Sequence, residues 1–184
     1  HMNEKEKAAL SLINRFIMDV KFLDSDNQKG DSIFRNLLSS KQITPLPVSI
    51  KIDTDGLVFS SKHFEGGKMN IKYDSIDKVE FTVYSRLVPT KGVAMNLPTT
   101  IYPINIKLQT YKGVCLEFES SDYSALKNFI LKLQESNISI CEQANLVNLI
   151  IKSSSDEIIE YFQSNWDRLV ETYSLKSLKT GYNR

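Results

Sequence analysis

Between Val48 and Phe118 apolar residues recur at every second position, in short runs separated by turn residues. Val48, Ile50 and Ile52 alternate with Ser49, Lys51 and Asp53, the pattern of a strand with one side in a core and the other in water. Asp53-Thr54-Asp55-Gly56 then reads as a tight hairpin turn, with Gly56 available for positive φ. The return strand is expected from Leu57 to Phe64, and Gly66-Gly67 makes the next turn. Met69, Ile71 and Tyr73 alternate with Asn70 and Lys72, Asp74-Ser75 turns the chain, and Ile76, Val79, Phe81 and Val83 carry the next apolar side. Two further strands follow, one with Ile104, Ile106 and Leu108 inward and one with Val114, Leu116 and Phe118 inward, joined by Tyr111-Lys112-Gly113. Residues 88–100 contain Pro89, Gly92 and Pro98 and are expected to be a long loop.

Elsewhere the period is that of a helix. Ala9, Leu12, Ile13, Phe16, Ile17, Val20 and Leu23 place an apolar stripe on a helix expected over 4–23. A second, short helix is expected after Asp31 or Ser32, with Ile33, Phe34, Leu37 and Leu38 on its apolar side. After Ser120-Ser121-Asp122 the period switches, and Tyr123, Leu126, Phe129, Ile130 and Leu133 define a helix that must cover a sheet face or barrel end. Residues 142–151 are too short a run to decide between helix and strand. Ser154 and Glu157 have the spacing of a capping box, and behind them Ile158, Phe162, Trp166, Leu169 and Tyr173 mark a long amphipathic helix. The tail from Leu175 is expected to fray.

These elements predict an α+β protein: a bent antiparallel β-sheet or partly open barrel, capped by a C-terminal helix, with added helices at both ends. The division that follows is an N-terminal helical extension over 2–44, a β domain over 45–136 and a C-terminal helical extension over 137–184.

The stretch Met69-Asn70-Ile71-Lys72-Tyr73-Asp74-Ser75-Ile76-Asp77-Lys78-Val79-Glu80-Phe81 carries an I-x-Y-x-x-I-x-x-V pattern across a strand–turn–strand corner. With the hairpin order and closing helix, it resembles the pleckstrin-homology-like superfold in its bacterial PH-like and GRAM-like form, over about 47–136. The resemblance implies a strongly bent seven-stranded sheet plugged by the helix at 121–136, the seventh strand coming from a split of 76–87 or from within 94–103. It also implies binding of phosphoinositides, peptides or proteins rather than catalysis. Phosphoinositide-binding members place Lys and Arg around the first hairpin loop. Here that loop holds Asp53 and Asp55, which would repel a polyanionic headgroup.

Charge adds little. Lys and Arg number 23 against 22 Asp and Glu, a formal net charge of +1, far from the basic excess that nucleic-acid binding draws on. His1 precedes Met2 and is set aside as a tag remnant. Cys115 and Cys141 have no CxxC spacing and make no disulfide framework. With no signal peptide or apolar span evident, a cytoplasmic location is expected, signal-independent secretion staying open.

Candidate chemistry is sparse. His63 is the one native histidine, and nothing in the spacing brings it to a nucleophile. One histidine and two isolated cysteines do not make a zinc site. Asp53, Asp55 and Gly56 fall short of a calcium loop, because Lys51 and Lys62 would occupy its first and last ligand positions. Gly66-Gly67-Lys68 is too short to cradle phosphate. No cofactor is expected. Glu117, Glu119 and Cys115 share an outward strand side, read as a solvated or helix-covered surface with an inert thiol. The candidate binding residues are Lys62, Lys68, Lys72 and Lys78, able to form a basic side, and Trp166, whose helix either packs on the β unit or receives a partner. The function expected is non-enzymatic protein–protein interaction. Its rivals are a peripheral membrane module binding anionic lipid, and an enzyme or inhibitor using the 88–100 loop.

Overall fold

The structure is a computed structural model of the chain, and it describes Glu4 and residues 18–23, 46–62, 66–89 and 98–178. The short helix expected after Asp31, most of the helix expected over 4–23, His63 and residues 90–97 lie outside the described residues. The strands are β1 (Met18–Leu23), β2 (Leu46–Ile52), β3 (Gly56–Ser60), β4 (Lys68–Lys72), β5 (Ile76–Val83), β6 (Ser85–Pro89), β7 (Pro98–Ile101), β8 (Ile104–Thr110), β9 (Cys115–Ser120), β10 (Ser139–Glu142) and β11 (Ser177–Leu178). The helices are α1 (Tyr123–Glu135), α2 (Leu146–Lys152) and α3 (Ser155–Tyr173).

Among the described residues the strands form two sheets. The larger has the order β10-β5-β8-β9-β1-β2-β3-β4, the smaller β11-β6-β7. The class is α+β, and the large sheet is mixed and not closed into a barrel. The hairpins expected from alternation are antiparallel: β2–β3, β3–β4, β5–β8 and β8–β9. Every parallel pairing involves β1, β10 or β11, strands that reach the sheets from outside that hairpin series.

Several expectations are corrected. Met18–Leu23, expected as the end of a helix, is strand β1, hydrogen-bonded to β2 on one side and β9 on the other. Its sequence suits both periods, since Met18, Val20 and Phe22 also alternate with Asp19 and Lys21. Backbone partners on two sides decide in favour of the strand. The loop expected over 88–100 has strands at both ends: Pro89 lies opposite Pro98 where the β6–β7 ladder ends, a position that tolerates residues lacking a donor. Strands do arise at both proposed sources of a seventh strand, β6 after the break at Tyr84 and β7 within 94–103, but they pair in the small sheet and add no strand to the large one. The run 142–151 resolves as helix from Leu146 onward, in α2, with Glu142 at its start ending strand β10. The tail does not fray at Leu175. That side chain is buried, and β11 pairs with Ser85 and Arg86.

Gly56 is needed for a reason other than φ. A Cβ there would stand 2.3 Å from the Ile71 carbonyl oxygen, so close strand approach, not a left-handed backbone, requires glycine. Among the described glycines positive φ occurs instead at Gly66 and Gly67, between β3 and β4, and at Gly113, between β8 and β9. The three-residue spacing from Ile76 to Val79 has a local cause too. The β5–β8 register shifts between Ile76 and Lys78, and the irregularity returns Val79 to the inward side.

The core lies between the inward sheet face and α1. Ile50, Leu57, Phe59, Phe81, Ile106, Leu108, Leu116 and Phe118 meet Leu126, Phe129, Ile130 and Leu133, all fully buried. Asp122 caps α1 by accepting from the Ala125 N–H at 3.1 Å. The capping box of α3 forms as its sequence predicts: Ser154 Oγ accepts from the Glu157 N–H, and Glu157 accepts from the Ser154 N–H. Helix α3 buries Ile158, Phe162 and Leu169.

Candidate docking face

Strand β4 is the last strand of the large sheet among the described residues. Its alternation is complete, with Met69 and Ile71 buried and Lys68, Asn70 and Lys72 exposed. The register also fixes where its backbone groups point. Ser61 N–H donates to the Gly67 carbonyl at 3.1 Å, and Tyr73 N–H donates to the Asp55 carbonyl at 3.0 Å. In an antiparallel ladder hydrogen-bonded pairs alternate with non-bonded ones. Starting from those two ends, Phe59–Met69 and Leu57–Ile71 are the bonded pairs, whereas Lys68, Asn70 and Lys72 sit in non-bonded pairs. The N–H and C=O groups of these three residues therefore point away from β3. The Lys72 carbonyl accepts from Ser75 Oγ at 2.6 Å; among the described residues no strand pairs with the other groups, which form an open edge.

The same register assembles a basic surface beside that edge. Ser60 lies opposite both Ser49 and Lys68, and Val58 opposite both Lys51 and Asn70. Lys51, Lys68 and Lys72 thus share the outward side of β2–β4, together with Asp53, which approaches Lys51 at 4.0 Å. Lys62 follows the buried Ser61 and is exposed. Lys78 does not join this group. It is half-buried on β5 opposite Ser139, at the other end of the strand order. Lys51 was not among the candidate residues, although its place on the polar side of an alternating strand was legible. What was missing was the register that sets it across from Val58.

The corner after β4 is held by polar contacts. Tyr73 opens a 3-10 turn, Tyr73–Ser75. Its O–H donates to the Asp53 carbonyl at 2.8 Å, and Lys132 Nζ lies 5.6 Å from the ring centroid. Burial, then the carboxylates of Asp53 and Glu135, push the phenol up from 10.0 to about 12. The folded state holds this proton more tightly than the unfolded chain. The associated stability is intact below about pH 10 and is lost as pH rises towards about 12. Tyr73→Phe is therefore expected to lower the urea midpoint slightly at neutral pH, through the lost hydrogen bond, and to flatten the alkaline decline between those two values. A parallel decline in both proteins would show that Tyr73 does not carry it. Tyr123 adds to the parent's slope, because burial and then Tyr102 raise its phenol as well; its O–H donates to the Tyr102 carbonyl at 2.7 Å.

Trp166 is half-buried and engaged within the fold. Its ring packs on Tyr102 and Phe162, with centroids 5.0 and 6.1 Å away, and its Nε1–H donates to Ser177 Oγ at 2.9 Å. It ties α3 to the tail.

Glu119 departs most from expectation. It is buried and paired with the buried guanidinium of Arg86, which also donates to the Tyr84 hydroxyl at 3.1 Å. The small sheet covers the end of β9, where a solvated or helix-covered side was expected. Glu117 keeps a half-buried place and accepts from Asn105 Nδ2 at 3.1 Å, and Cys115 and Cys141 are exposed thiols. An open cleft of about 260 Å³ lies over the outward side of β5 and β8, lined by Thr82, Tyr84, Asn105, Lys107, Glu117, Gln143 and Lys176 among others. None of the described residues within 88–100 is among its lining residues. No group of His, Cys, Asp and Glu among the described residues could hold a metal ion, and no described helix is long and apolar enough to cross a membrane. Comparison of the chain with protein-family models, with curated proteins and with solved structures finds no match.

Proposed function

We propose that this protein is a non-enzymatic protein-interaction module built on a PH-like scaffold. The hairpin series, the corner at Tyr73–Ser75 and the helix laid over the inward sheet face are compatible with that scaffold. The observation that carries the functional reading is the open β4 edge flanked by Lys68 and Lys72. Exposed strand edges are places where another chain can be received through backbone hydrogen bonds. A photo-crosslinking residue at position 70, with Glu160 on the exposed side of α3 as control position, tests it in extracts of the source organism. The expected result is a discrete protein adduct from position 70 and none from position 160. A folded chain that gives no adduct at position 70 overturns the reading.

The lysine group favours one rival, binding of anionic lipid. Lys51, Lys62, Lys68 and Lys72 are all exposed, and basic surfaces are drawn to anionic membranes. Against it stand Asp53 and Asp55, exposed at the tip of the neighbouring hairpin. Vesicle co-sedimentation that rises with anionic lipid content and falls when Lys68 and Lys72 are reversed in charge would favour the membrane.

A further inference from the structure

Taking the interaction reading as its premise, we infer that the occupant of the β4 edge is an extended acidic segment of another protein, added to the large sheet as a further strand. Three features of the edge select it. The first is the set of outward backbone groups on Lys68 and Asn70, with the N–H of Lys72, which a strand can satisfy and a lipid headgroup cannot satisfy along their whole length. The second is the pair of ammonium groups two alternations apart on one side, from Lys68 and Lys72. Cross-strand pairs of opposite charge stabilise and like charges directly opposite destabilise. The third is the inward side, where Met69 and Ile71 belong to the core at 4% and 7% exposed, so the alternate residues of an added strand come beside apolar groups, not charged ones.

A second copy of the chain fits this edge badly. Two β4 strands paired antiparallel about Asn70 would set each Lys68 against the partner strand's Lys72, like charge on like charge. The occupant that satisfies both sides has acidic residues opposite Lys68 and Lys72 and apolar ones opposite Met69 and Ile71, the pattern Glu-Val-Thr-Val-Glu. That sequence reads the same in either direction, so the pattern holds for parallel or antiparallel addition.

The test uses the full chain and two fluorescein-labelled peptides with Gly-Ser flanks, one containing Glu-Val-Thr-Val-Glu and the other Val-Glu-Thr-Glu-Val. The flanks are common, and swapping Val and Glu moves the carboxylates to the other side of an added strand. Anisotropy at low salt is expected to show the first peptide binding at least about fivefold more tightly, since about 1 kcal/mol of cross-strand charge pairing separates them. Asn70→Pro removes an outward donor that the β3–β4 ladder does not use, and is expected to weaken binding about tenfold or more. Lys68→Glu with Lys72→Glu keeps the edge groups and is expected to reverse the preference between peptides, which carries the test if the proline variant does not fold. Equal binding of the two peptides, or unchanged binding by folded Asn70→Pro, overturns strand addition; a position-70 adduct would then leave the interaction reading standing. Binding to phosphatidylserine vesicles with no binding of either peptide overturns the inference and, without that adduct, the interaction reading as well.

Discussion

Replacing Glu119 with alanine is expected to reduce the unfolding free energy by about 3–5 kcal/mol, the range for breaking a buried ion pair from one side. Glu119 and Arg86 are 1% and 3% exposed, so the guanidinium left behind cannot regain water without opening the structure. The loss is a large fraction of the roughly 5–15 kcal/mol that separates folded from unfolded states in a typical domain. The pair also has a location. Arg86 belongs to the small sheet and Glu119 to the large one, so the variant should lose hydrogen-exchange protection first in β6, β7 and β11. Replacing both residues, Arg86→Met with Glu119→Leu, removes the two desolvation penalties together and is expected to cost much less than the single change. Urea unfolding of the three variants decides the matter. If Glu119→Ala costs under about 1 kcal/mol, in the range of exposed ion pairs, the site is hydrated and the account of its burial is wrong.

That pair also shows where the sequence stopped being legible. Glu119 was correctly placed on the outward side of its strand with Cys115 and Glu117, because alternation is a local signal. Whether an outward side meets water or a second layer depends on a partner 33 residues away, and no local pattern carries that. The β hairpins, α1 and the α3 capping box were legible for the same reason, each resting on neighbours a few residues apart. Strand β1 is not legible because its six residues satisfy two periods, and the slot between β2 and β9 chooses between them. Strand β11 is two residues long, below what alternation can mark. At the docking face Lys62, Lys68 and Lys72 were named from sequence. Lys78 was named with them, and it stands apart because its strand β5 pairs with β8 and β10, not with β4. Lys51 entered only with the register.

Phe129→Ala tests the packing on which the whole arrangement rests, the seating of α1 on the inward side of the sheet. The ring is fully buried and meets Phe81 of β5 and Phe118 of β9 edge-on, with centroids 6.2 and 6.3 Å away. Phe118 in turn meets Phe59 of β3 at 5.6 Å, so one chain of rings links the helix to strands from both halves of the large sheet. Removing a buried phenyl loses its transfer free energy and leaves a cavity, a combined cost of about 3–5 kcal/mol. At roughly 2–4 °C per kcal/mol for a chain of this size, the melting temperature should fall by about 10 °C. Leu131 is the control on the same helix, since it is 43% exposed and its replacement by alanine should cost about 0.5 kcal/mol or less. The pairing of Phe129 with Phe118 predicts that the double alanine variant costs less than the sum of the singles, the two truncations sharing one contact and one cavity. A helix turned by half a revolution would reverse the order of the Phe129 and Leu131 effects. Denaturant midpoints measured at constant m-value therefore distinguish a helix that covers the sheet from one that presents the Tyr123–Leu133 stripe to water.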